Sequence, residues 1–156
     1  MRVDADGYGF RPDENAVERL LEDFRTLSPA GIERAAWGWQ RHVGAADRER
    51  FSQAEEAALD AIRARGAWDR WEAVRAAIYG LTEGDHRVIS WEAEDEEHHE
   101  HSRAAEHAAY GAALALVAGG ALPPPSSRVL LTPLAEALPW LLPGFEPAPV
   151  RDREVR

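Results

Sequence analysis

Residues 102–118 read SRAAEHAAYGAALALVA, and the choice between a membrane span and a buried helix turns on this stretch. No charge falls between positions 108 and 127, as in a span, but Gly119, Gly120 and the prolines at 123–125 end the helical part after about 11 uncharged residues. A bilayer needs ~20 apolar residues, so a buried helix fits better. Ala105, Ala108, Ala109, Ala112 and Leu116 recur at three- and four-residue steps along one side. Side chains that small permit close approach of a neighbouring helix.

Other helices are read outward from this one. Val17, Leu20, Leu21, Phe24 and Leu27 form an apolar stripe behind Asp13, the expected N-cap of a first helix. Ser28 followed by Pro29 suits the cap and first turn of a second, expected to run to Val43 and stop at Gly44. Ile32, Ala36, Trp39 and Val43 share its buried face. Trp37 lies well over 90° from that stripe at ~100° per residue, which marks it as exposed or packed against something else. A third helix is expected over 46–65, with Ser52 and Glu55 in capping-box spacing inside it and Gly66 as its stop. A fourth, 67–81, carries Trp68, Trp71, Val74, Ile78 and Leu81 on one arc and is expected to be the central core helix, ending near Gly84. After the segment ALPPPSS, read as a stiff loop, a last helix over 128–142 is expected to kink or break at Pro133 and Pro139.

These segments show no strand alternation and no internal repeat, and their connections are short. The expectation is an all-α fold, a compact bundle of about five to six mostly antiparallel helices with no significant sheet. Residues 1–12 are read as an N-terminal arm, 13–142 as a single domain and 143–156 as a loose tail.

Composition excludes several chemistries. The chain of 156 residues has no cysteine, which removes disulfides, thiolate metal sites and cysteine nucleophiles. All 18 basic residues are arginine. Without lysine there is no Schiff-base residue, pyridoxal-phosphate anchor or Walker-loop lysine. A net charge of −10 opposes direct binding to nucleic-acid phosphates. The N-terminal sequence lacks the apolar run of a secretory signal, so a cytoplasmic location is expected.

Chemically, the densest stretch is EAEDEEHHEH at 92–101, with six of the 28 carboxylates and three of the six histidines. Carboxylate with imidazole is a ligand set for zinc, nickel, manganese or iron. If a helix starts at Ser90 and runs unbroken, Glu94, His98 and His101 fall on the same side as Ala105, Ala108 and Ala112, where His42 or an acid of the third helix could complete a site. Glu97 and His101 make a second pair at four-residue spacing. If Ser102 is the cap, the cluster is a solvated acidic loop, and this is the favoured reading because a charge run is usually a solvated face. Imidazoles among carboxylates could also act as a pH switch at His98, His99 and His101.

Remaining motifs carry less. Asp4, Asp6, Gly7 and Asp13 imitate part of a calcium loop, but Arg2 occupies its first ligand position and Gly9 its hydrophobic one. Gly7 and Gly9 lack the strand and third glycine of a dinucleotide fingerprint. No serine sits in a nucleophile elbow. With no motif naming a reaction or substrate, the expected role is a non-enzymatic module that binds a protein partner or copies of itself, with Trp37 as the candidate contact and no cofactor. The alternative is a metal-binding bundle using Glu94, Glu97, His98 and His101. A weaker one is an acidic inhibitor that occupies a nucleic-acid site on a basic partner.

Overall fold

A computed structural model describes residues 15–44, 48–83, 96–135 and 137–138. Among them are six α-helices and no strand: α1 (Ala16–Arg25), α2 (Pro29–Trp39), α3 (Arg48–Ala64), α4 (Trp68–Glu83), α5 (Glu96–Ala118) and α6 (Pro124–Ala135). The protein is all-α, as the periodicity indicates. No helix among the described residues is long and apolar enough to cross a membrane.

The apolar stripe of α1 is buried at Val17, Leu20 and Phe24. Its N-cap is Asn15, not the expected Asp13, and the backbone N–H of Arg19 closes the first turn on the Asn15 carbonyl at 3.0 Å. The start of α2 matches its sequence signal. Ser28 Oγ accepts from Gly31 N–H at 3.1 Å while Pro29, which has no N–H to satisfy, takes the first helical position. The far end differs from expectation. Regular α-helix stops at Trp39 and continues as a π-helical turn, Gln40–Gly44, that buries Val43.

A Schellman turn ends α3. Gly66 takes φ +72°, Gly66 N–H donates to Arg63 O and Ala67 N–H donates to Ile62 O, so glycine is needed for the left-handed conformation. This turn leads directly into α4, which buries Trp71, Val74 and Ile78.

Three further expectations are corrected. The central helix is α5, not α4: α5 packs against α1, α2, α3, α4 and α6. Trp-rich α4 has one heavy buried arc, whereas α5 is buried from Ala108 to Ala118 on nearly every side, with Tyr110 half-buried. Alanine or glycine at seven of the eleven positions from 108 to 118 lets neighbouring helices come close, with Leu114, Leu116 and Val117 filling the remaining space. The second correction concerns its start. Helix α5 begins at Glu96, so Ser102 is not its cap and residues 96–101 are helix, not the expected loop. A start at Ser90 lies outside the described residues.

The third correction is at α6, which starts at Pro124 instead of 128. Prolines are tolerated in a first turn, where an N–H would lack a partner anyway, and the Pro123 carbonyl accepts from Ser126 and Ser127 N–H at 3.0 and 3.1 Å. Pro133 sits inside α6, and the buried Thr132 hydroxyl donates to Arg128 O at 2.6 Å. The helix ends at Ala135, after which Ala137 and Leu138 N–H both return to Leu134 O. The break expected at Pro139, the arm at 1–12 and the tail at 143–156 lie outside the described residues.

Candidate functional site

Helices α2, α3 and α5 converge on Trp39, the last residue of α2. Its indole meets Phe51 of α3 edge-on, with centroids 5.0 Å apart at 83°, and the His107 ring of α5 nearly face-on, at 4.9 Å and 30°. Arg48 of α3 places its guanidinium over the same indole at 5.9 Å. Ring faces attract cations and edges, so one indole serves three helices. One turn further along α5, Tyr110 meets the buried Trp71 of α4 edge-on at 5.2 Å and 81°.

Ionisable groups line this seam. Burial pushes the Glu55 carboxyl above its ordinary range, with Arg48 pulling the other way. Burial also lowers the His107 imidazole, and the positive charges of Arg48 and Arg103 lower it further. Tyr110 is raised, first by burial and then by the charges of Glu55 and Tyr79, against the pull of Arg75. The physical cause is shared: packed rings displace the water that would solvate each charge. Burial thus favours the neutral form of both the Glu55 carboxyl and the His107 imidazole.

Why these residues meet follows from helical spacing. Arg48, Phe51 and Glu55 are three and four residues apart on α3, and Arg103, His107 and Tyr110 repeat that spacing on α5. The rows face each other because Gly111 lets α5 approach. A Cβ built at Gly111 would stand 2.6 Å from Phe51 Cζ and 3.3 Å from Leu130 O.

Of the residues proposed from sequence, Glu97, His98 and His101 fall in the first two turns of α5, and Glu94 lies outside the described residues. Among the described residues no three His, Asp or Glu side chains gather as a metal site, and the side chains at 94–101 are outside that description. Trp37 is 61% exposed on the outer face of α2, whereas Trp39, Trp68 and Trp71 are partly or fully buried. Sequence reading missed His107, Arg48, Arg103 and Tyr110 as a group, and read Glu55 only for its capping spacing. The available signal was the three- and four-residue repeat beside the alanine stripe.

Neither the protein-family models, nor the curated proteins, nor the solved structures contain a match to this chain.

Proposed function

We propose that this chain is a protein-interaction module that works through the outer face of α2, binding a protein partner or further copies of itself. The observation that carries this reading is Trp37, which exposes 61% of its surface within a face that also presents Glu33, Arg34 and Arg41. A tryptophan contributes a large apolar area at little entropic cost and is the residue type most often found to dominate protein interfaces. Charged neighbours around it suit the polar rim of a contact. Light scattering on the full chain, combined with capture of interacting proteins by the wild type and by Trp37→Ala, tests the reading. Association that weakens at least tenfold in Trp37→Ala supports it. A wild-type monomer that captures nothing, or association indifferent to the substitution, removes it.

A second reading is favoured by the early start of α5. Because residues 96–101 are helical, Glu97 and His101 lie one turn apart, as bundle proteins space ligands for zinc, nickel, manganese or iron. In this reading Glu94, Glu97, His98 and His101 bind the metal, with neighbouring helices completing the set. Untagged protein would then carry stoichiometric metal that the double change His98→Ala with His101→Ala abolishes. Metal content unchanged in that variant would end the idea.

A further inference from the structure

The seam between α2, α3 and α5 contains an ionisable ring in a structural position, and neither reading above uses it. We propose that His107 is a proton-sensitive latch, which in its neutral form holds Trp39, and with it the π-helical turn Gln40–Gly44, against α5. The contact is specific: the His107 and Trp39 rings are 4.9 Å apart and inclined by only 30°. It is also placed where the helix geometry changes. Trp39 is the last α-helical residue of α2, and the five residues after it adopt the wider π geometry, which is rare and recurs at functional sites. Loss of that anchor loosens the turn on its Trp39 side, while Val43 stays seated in the core.

Charges around the ring set the direction. From α3 come Arg48, already over the Trp39 indole at 5.9 Å, and Glu55 two turns later. The π-helical turn carries Arg41 and His42, and α5 itself contributes Arg103 one turn before, Glu106 adjacent and Tyr110 one turn after. An imidazolium would gain attraction to the indole, but it would share that ring with the Arg48 guanidinium, which lies 5.9 Å from the same centroid. It would also stand beside the positive charges of Arg48 and Arg103, both of which disfavour it. His107 remains exposed on one side, so protons reach it without prior unfolding. Protonation therefore loosens the stack, and the π-helical turn loses one of its two anchors, keeping Val43.

Nuclear magnetic resonance of the full ¹⁵N-labelled chain across mildly acidic pH tests this directly. The His107 imidazole is expected to titrate below its ordinary value of 6.5. The Trp39 indole N–H and the backbone amides of 40–44 are expected to shift with the same midpoint. Exchange protection in 40–44, corrected for the intrinsic effect of pH, should fall about tenfold more than that of Leu130 and Leu131 in the core. His107→Gln should abolish the coupled change, and Arg103→Gln should move both midpoints upward together. A His107 midpoint at or above 6.5 would overturn the proposal. So would amides at 40–44 that ignore the titration, or a change that persists in His107→Gln. If that variant fails to fold, Arg103→Gln decides, because a segment midpoint that does not follow the imidazole overturns the latch equally.

Discussion

The guanidinium of Arg65 donates to the carbonyl oxygen of Val117 at 2.7 Å, so the last turn of α5 is closed by a side chain 52 residues earlier in sequence. The same nitrogen reaches Ala118 O at 3.0 Å. Both carbonyls belong to the end of a helix, where they have no partner further along the helix and where the helix dipole is negative. The Schellman turn at Gly66 fixes the backbone from which Arg65 reaches. Gly119, at φ +58°, keeps the approach open, because a Cβ there would stand 2.7 Å from Arg65 Nη1.

Arg65→Ala is expected to lower stability by about 1–2 kcal/mol, the range for hydrogen bonds from a charged donor at a partly solvated helix end. Urea unfolding followed by circular dichroism measures it. A change within a few tenths of a kcal/mol would mean that solvent closes the α5 terminus equally well.

Gly111→Ala should cost about 1–3 kcal/mol by overpacking, since the new methyl meets the Phe51 ring and the Leu130 carbonyl. Pairing it with Phe51→Leu should recover part of that loss. The double-mutant cycle would then give a coupling energy clearly different from zero.

Glu55→Gln should stabilise the protein at neutral pH. The folded-state pKa of Glu55 is raised, so the folded chain binds its proton more tightly than the unfolded chain does. Its favourable contribution is complete below the ordinary value of 4.5 and is lost as pH rises through the folded value. Above that window the ionised carboxylate is a burden that glutamine lacks. Urea midpoints measured from pH 4 to pH 7 should show the variant gaining on the wild type as pH rises. Parallel curves would refute the assignment.

Trp71→Ala and Trp37→Ala should separate sharply. Trp71 is 1% exposed and packs on Tyr110, so its truncation is expected to cost about 3–5 kcal/mol. Trp37 lies on the surface and should change stability by less than about 0.5 kcal/mol. A large loss from Trp37→Ala would assign it to the fold and not to a contact.

Much of the fold is legible locally because its signals are local. The Ser28 and Pro29 start, the Gly66 stop and the α1 stripe each depend on a few adjacent residues, and each is where the pattern puts it. The errors arise where distant packing decides. The arc of Trp68, Trp71 and Val74 advertises apolar mass, yet alanine-rich α5 takes the centre because it is buried around nearly its whole circumference from Ala108 to Ala118. Pro124 and Pro125 read as loop but serve as a first helical turn. The seam was hidden for the same reason: Trp39, Arg48 and His107 belong to three helices, and only the folded backbone brings the two rings and the guanidinium together.

The all-round burial of α5 also has a consequence for how this protein can change over time. Between Ala108 and Ala118 seven of the eleven residues are alanine or glycine, and all but the half-buried Tyr110 are buried. A surface helix can vary on its outer half, but this one has little outer half to vary. Substitution toward larger residues requires a compensating reduction on α2, α3 or α6, so acceptable changes must arrive in pairs. A saturation library should therefore show a band of intolerance over these positions, while exposed positions of α2 around Trp37 accept most replacements that preserve the helix.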